Sequence, residues 1–239
     1  MRTSKKCKKL VFDIETNGLL DKTEKIHSLV IKDIETKIVY SCTNNFYVPN
    51  DNNDVVLLII DEGIGLLQNA DLIIGHNIIS FDIPVIKKLY PGFNYKNCFD
   101  TLIASRLVFP DIQTVDIINQ RKNNYIIPKE VIKKPHSLEA WGYRLNILKG
   151  KYGKKENAWA NWNHQMQEYC EQDVLVTETL YDKLINPKNE KRKIPFDALK
   201  TEQEFAKIIQ LQTSRGVQFN KDKALKLLET LKTTREEIT

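Results

Sequence analysis

The chain has 239 residues, 41% of them hydrophobic and 28% charged, with a net charge of +5. That is enough to bury a sizeable core in one domain with a small appendage, and it excludes a disordered chain. The modest positive balance permits a polyanionic partner without demanding one.

The N-terminus, MRTSKKCKKLVF, has no apolar segment leading to a small-residue cleavage site, and no later apolar run approaches the roughly 18 residues of a membrane span. An intracellular protein without a membrane partner is expected. Residues 8–13 read as a buried strand, and IHSLVI (26–31) and KIVYSC (37–42) as a hairpin pair around a polar turn. The apolar spacing over 54–69 predicts a helix. DLIIGHN (71–77) reads as a short strand, after which Ser80 is placed to N-cap a helix with Pro84 in its first turn. NCFDTL (97–102) suggests a strand edge entering another helix. Residues 108–136, polar and carrying three prolines, predict a long loop. Ser137 then N-caps LEAWGYRLNIL, and 163–185 is the longest helical pattern. Strands first and helices later, with an early hairpin, indicate an α/β domain with a mixed sheet.

Beyond Leu184, INPKNEKRKIPFD reads as a linker. Helices are expected over 198–213 and 221–238, with Gly216 just past the first and Asn220 capping the second. The second carries Ala224, Leu225, Leu228 and Leu231 on one face, a stripe that marks a docking element. The expected division is therefore residues 1–187 as one domain and 188–239 as linker and helical segment. The cysteines, at 7, 42, 98 and 170, form no CxxC or Cys/His cluster, so reduced and largely buried thiols are expected rather than disulfides or a zinc site.

The tetrapeptide Asp-Ile-Glu-Thr occurs twice, at 13–16 and at 33–36. The first copy ends an apolar strand. Alternation there puts Val11, Asp13 and Glu15 on one face and Leu10, Phe12 and Ile14 on the other. Carboxylates two residues apart on a strand lie about 7 Å apart and point the same way, and they repel unless a cation sits between them. The second copy falls where two strands reverse, so Asp33 and Glu35 read as a solvated turn. Asp82, in the first turn of a helix, either complements the helix dipole or joins the first pair. Asp173 lies inside the apolar stripe Met166, Tyr169, Cys170, Val176, Thr177 and Leu180. A carboxylate on a core-facing stripe needs a partner, and Tyr169 is one turn away on the same face.

Taken together, D-x-E at a strand end, F-D at a helix start and Y-x-x-x-D on a late helix resemble the proofreading 3′→5′ exonucleases of the DEDD superfamily. Tyr169, four residues before Asp173, places the resemblance in the tyrosine branch (DEDDy), and Glu168 stands where the other branch has histidine. CFDTLIASRLV, HSLEAWGYRLNILKGKY and SRGVQFNKDKALKLLETL are similar to segments of phage family A DNA polymerases of the T-seven type, the last to the start of their polymerase half. The weakest stretches are 43–70 and 108–135.

The resemblance implies an RNase H-like fold, with a mixed five-stranded sheet flanked by helices and a C-terminal helical appendage. It implies two-metal hydrolysis of phosphodiesters at the 3′ ends of single-stranded or frayed DNA, releasing nucleoside 5′-monophosphates. Asp13 would bridge two divalent cations, Mg²⁺ with Mn²⁺ able to substitute. Glu15 and Asp173 would complete one site and Asp82 would serve the other. Tyr169 would orient the attacking water, with Glu15 as acceptor. Leu19 would wedge against the terminal base, Thr16 would contact the terminal 3′-hydroxyl through its backbone, and Asn77 would lie near the terminal nucleotide. Asp100 and His136 match structural positions. Basic residues available for a DNA strand are Arg121, Lys122, Lys129, Lys133 and Lys134, and also Lys149, Lys151, Lys154 and Lys155. Trp141 and Tyr143 read as core. The chain would be the proofreading part of a polymerase or a separate exonuclease subunit, acting in a bacterial host's cytoplasm if phage-encoded. An exoribonuclease of the same branch and a non-catalytic DNA-binding polymerase subunit are the alternatives.

Overall fold

A computed structural model describes residues 7–49, 55–122, 126–148, 152–154, 157–187 and 192–238. A mixed sheet of six strands organises it, in the order β4-β3-β2-β1-β5-β6. The strands are β1 (Lys9–Thr16), β2 (Ile26–Asp33), β3 (Val39–Cys42), β4 (Val55–Leu58), β5 (Leu72–Gly75) and β6 (Cys98–Asp100). β1, β2 and β3 run antiparallel in sequence, while β4 joins β3, β5 joins β1 and β6 joins β5, all in parallel.

The helices are α1 (Ile60–Asn69), α2 (Asp82–Leu89), α3 (Thr101–Val108), α4 (Ile112–Arg121), α5 (Lys129–Ile132), α6 (Leu138–Leu145), α7 (His164–Ile185), α8 (Phe196–Arg215) and α9 (Lys221–Ile238). On one sheet face, Leu10, Phe12 and Ile14 pack against α1 and α2 through Ile64, Leu67, Ile83 and Ile86. On the other, Val11, Val30 and Ile74 pack against α3, α6 and α7 through Ala104, Trp141, Val174 and Leu180. Trp141 is core as expected, and Tyr143 packs against a small cluster around Val131.

Two expectations change. The stretch 54–69 is not one helix. Val55–Leu58 forms the sixth strand and the helix starts at Ile60, because an unbroken apolar run such as VVLLII fits either period. Residues 108–136 are not simply a loop but carry α4 and α5. Arg144 of α6 anchors α4 by a two-pronged, buried ion pair with Asp116, at 2.9 and 2.6 Å.

Caps read from sequence hold in several places. The Ser137 hydroxyl accepts from the Ala140 amide and Asn220 accepts from Lys223, while Asn163, not singled out in the sequence, caps α7 by accepting from Met166. Gly216 ends α8 with φ +70°, a conformation that favours glycine. Ser80 does not cap α2; Phe81 occupies that position without a side-chain bond. Of the cysteines, Cys42 and Cys170 are buried and Cys98 partly so, but Cys7 is exposed.

Leu199 and Gln203 of α8 are buried against the domain, whereas no residue of α9 is buried. Residues 188–191, in the expected linker, lie outside the described residues. No helix among the described residues is long and apolar enough to cross a membrane.

Candidate active site

β1 carries its alternation into the site. With Leu10, Phe12 and Ile14 committed to the α1/α2 layer and Val11 to the α7 layer, Asp13 and Glu15 emerge beneath α7. There the Cys170 thiol faces Asp13, with Sγ 3.4 Å from its carbonyl oxygen and 3.8 Å from Oδ2. Asp13, Glu15 and Cys170 offer ligand atoms that all lie within 4.8 Å of one another. Burial, reinforced by Asp13, Glu15 and Asp173, holds the Cys170 thiol well above its usual range, so it is a neutral S–H.

Asp82 enters from the other side. β5 pairs with β1 along Lys9–Val11 and ends at Gly75, which leaves β1 open at its C-terminal end. Gly75 permits this tight exit, since a Cβ there would run into the Ile78 side chain and meet the Phe12 carbonyl at 3.0 Å. The chain then turns through Asn77, in the left-handed region at φ 68°, and starts α2 at Asp82. The Asp82 carboxyl is buried and takes a hydrogen bond from the Ile14 backbone. Burial is the main cause that raises its pKa, with Asp100 and Asp173 adding to it. Asp173, 3% exposed on α7, thus acts electrostatically on both Asp82 and Cys170. The sheet end therefore gathers Asp13, Glu15, Asp82 and Asp173 from β1, α2 and α7.

Tyr169 stands one turn before Asp173. Its ring lies 5.8 Å from that of Tyr152 and 5.9 Å from that of Trp159. Tyr152 is itself held by Asn163, whose amide donates to its hydroxyl at 2.8 Å, and it feels the charge of Glu15.

An open cleft of about 580 Å³ adjoins Glu15 and is lined by Thr16, Leu19, Phe81, Asn157 and Trp159. Thr16 and Leu19 both belong to this lining, and Leu19 is 79% exposed at the rim rather than packed in a core. Asn77 is not part of that lining; its backbone amide is bonded to Asp100. Of the basic residues, Arg121 and Lys122 end α4, Lys129 begins α5, and Lys133 and Lys134 follow it, and none of these five lines the cleft. Lys149, Lys151, Lys155 and the side chain of Lys154 lie outside the described residues.

The second tetrapeptide is a hairpin turn, but Asp33 is not solvated. It is buried, and its Oδ1 accepts from the amides of Glu35 and Thr36 at 2.8 and 3.1 Å. It stabilises the turn locally, as aspartate often does.

Of the other contributors, Asp100 matched a structural position in the sequence, while Gln167 and Glu171 escaped the sequence reading. Asp100 caps α3 through Leu102 and Ile103 and also accepts from the amides of Asn77 and Ile79, at 3.0 and 3.1 Å. It fixes the turn that delivers Asp82. On α7, Gln167 donates to the Ser41 hydroxyl at 2.8 Å, and Ser41 and Tyr47 donate to Glu171 at 2.7 and 3.1 Å. These bonds lock α7 to β3 and so set the position of Tyr169 and Asp173. The signal for Asp100 was the Asp-Thr step entering a helix. For Gln167 and Glu171 it was four-residue spacing on the flank of the apolar stripe.

The donor set is oxygen-rich, with Cys170 protonated, which suits a hard divalent cation better than a soft one.

The family model RNase_H_2, of the RNase H superfamily, matches residues 10–185. Over 201 residues the chain is 32% identical to the DNA-directed DNA polymerases of Enterobacteria phage T3 and Escherichia phage T7, a match that covers 75% of this chain and 27% of each polymerase. The chain thus spans about a quarter of the length of these curated relatives. Among solved structures, the apo form of a nuclease superimposes with a TM-score of 0.54 at 19% identity, covering 89% of both chains. Brucella melitensis NrnC does so with a TM-score of 0.51 at 15% identity, covering 90% of this chain and 91% of its own. At these identities the likeness speaks to fold, and the mixed sheet accords with it. With the family model covering the sheet from Leu10 onward and all of α7, the chain belongs to the RNase H superfamily.

Proposed function

We propose that the chain is a metal-dependent 3′→5′ exonuclease that removes nucleoside 5′-monophosphates from single-stranded DNA ends, as the proofreading part or subunit of a DNA polymerase. The observation that carries this reading is the convergence of Asp13 and Glu15 with Asp82 and Asp173 at one sheet end, beside an open cleft. The identity with phage polymerases supports DNA as substrate and a polymerase as the functional context. On the same basis, residues 1–187 form the exonuclease domain and 188–239 a linker and helical segment resembling the start of a polymerase domain.

Asp13, Glu15, Asp82 and Asp173 would hold two divalent cations, of which Mg²⁺ suits the oxygen donors. Bound there, such cations acidify water and offset charge on the leaving oxygen. The chain's own residues do the rest. Tyr169, its ring fixed by Tyr152 and Trp159, presents its hydroxyl to orient the attacking water, and Glu15 accepts from that water. Thr16 and Leu19 hold the terminal nucleotide at the cleft rim, Leu19 against the base. Asn77 acts through the turn that precedes Asp82.

The test is shortening of 5′-labelled single-stranded DNA with Mg²⁺, and with EDTA as control, by the parent and by Asp13→Ala, with the released nucleoside 5′-monophosphates identified by chromatography. Stepwise shortening from the 3′ end by the parent alone is expected. Binding without shortening would sink the enzymatic reading, and preference for an RNA oligonucleotide of the same sequence would move the substrate to RNA.

A further inference from the structure

A groove of about 880 Å³ runs between α2 and α8. Leu19 and Phe81 line both this groove and the cleft beside Glu15, so the two spaces adjoin. Lys87 and Lys88 stand on the α2 wall, Lys207 and Leu211 on the α8 wall, and Tyr95 completes the lining between them. The Nζ atoms of Lys87 and Lys207 lie 5.3 and 5.9 Å from the centre of the Tyr95 ring.

The α8 wall follows from its sequence. Leu199, Gln203, Lys207 and Leu211 recur at four-residue spacing and share one face. The first two are buried and pin the helix to the domain. The next two carry the same face outward over the groove. On the opposite side, Lys88 donates to the carbonyls of Leu20 and Asp21 at 2.9 and 3.0 Å, which ties the segment carrying Leu19 to α2. Lys207 also pairs with Glu204 at 2.7 Å, an exposed pair on one helix that contributes little and can yield to another anion.

Cations spaced along a groove with aromatic and aliphatic faces between them suit a single-stranded polynucleotide, whose phosphates take the lysines and whose bases take the flat apolar surfaces. An apolar peptide would leave the lysines unmatched. We propose that the α2/α8 groove holds the single-stranded segment on the 5′ side of the nucleotide bound at the carboxylates, with phosphates at Lys87 and Lys207 and a base against Tyr95. This assignment rests on the exonuclease reading above.

The experiment is fluorescence anisotropy of a fluorescein-labelled twelve-residue oligothymidylate in EDTA, across a salt series. The proteins compared are the parent, Lys87→Gln with Lys207→Gln, the matching double arginine variant, and a control pair on α9, Lys226→Gln with Lys232→Gln. The groove glutamine variant should bind about tenfold more weakly, with a log–log salt slope shallower by about 1.4, since each lost phosphate contact on a single strand removes about 0.7. The arginine variant and the α9 control should match the parent. Equal affinity and slope for the groove glutamine variant and the α9 control would overturn the assignment, as would loss in the arginine variant with its fold intact by circular dichroism. Mononucleotide release by the parent in Mg²⁺ is read separately. Its absence removes the exonuclease reading, while its presence with an unaffected groove variant removes only the groove.

Discussion

Gln203 of α8 accepts a hydrogen bond from the backbone amide of Asp100 at 3.2 Å, and the Asp100 carboxylate in turn holds the amides of Asn77 and Ile79. The appended helix thus touches the turn that delivers Asp82. Deleting residues 196–239 should therefore destabilise the domain. Losing buried Leu199 costs about 2 kcal/mol and the Gln203 bond about 1 kcal/mol. Deleting only 217–239, which removes α9 with no buried residue, should leave the urea midpoint unchanged. Identical midpoints for both truncations would detach α8 from the domain.

His136 supplies a pH signature. Its Nδ1 faces the Ser105 hydroxyl at 3.1 Å, and burial, then Arg144 and Arg106, push its pKa from 6.5 down to about 4. His27 is lowered as well, by burial and Lys25. Between these values the unfolded chain binds the proton and the folded chain does not. Stability is therefore full above the unfolded pKa and is lost as pH falls toward the folded one. For His136, discounted for its partial exposure, about 1–2 kcal/mol should go between about pH 6.5 and 4. Urea melts across that range should show this slope, flattened in His136→Gln. An unchanged slope in that variant would place the proton uptake elsewhere.

The hairpin, the face assignment of β1 and the inward stripe of α7 were legible because period alone fixes them. Val11 and Cys170 share the buried cluster between the sheet and α7, as that alternation and stripe require. β4 was not legible, since VVLLII satisfies both a strand and a helix and only its pairing with β3 decides. The Asp33 and Asp100 side chains show the other limit. Each is polar by letter yet buried, because a turn or a helix start lends it backbone amides as partners. Nothing local in the sequence says which amides will be near.

Tyr169 and Asp173 share a face of α7 but should differ in consequence. Tyr169→Phe keeps the ring between Tyr152 and Trp159 and removes only the hydroxyl. Measurable Mg²⁺-dependent hydrolysis should remain, about 10- to 100-fold below the parent, as for loss of one orienting group. Asp173→Ala removes a buried carboxylate that acts on Asp82 and should abolish detectable release. Single-turnover rates on labelled DNA distinguish them, and equal loss in both would assign the tyrosine a larger role.

The two identical tetrapeptides give the sharpest contrast. Asp13→Ala with Glu15→Ala removes two carboxylates from the sheet end where Asp173 and Asp82 also crowd. Hydrolysis of single-stranded DNA in Mg²⁺ should fall at least about 10³-fold, or about 4 kcal/mol of barrier. The fold should survive, because removing clustered like charges relieves repulsion when no cation is bound. Asp33→Ala with Glu35→Ala instead strips the acceptor from two turn amides. Those amides lie at a hairpin tip where water can replace part of the loss, so the cost should be about 1–2 kcal/mol of stability. The rate should stay within a fewfold of the parent, because β2 leaves the turn at the opposite end from the residues that pair with Glu15. Both variants are assayed for mononucleotide release at a temperature where circular dichroism shows each folded. An inactive 33/35 variant beside an active 13/15 variant would move the catalytic site to the hairpin and remove the assignment of all four carboxylates.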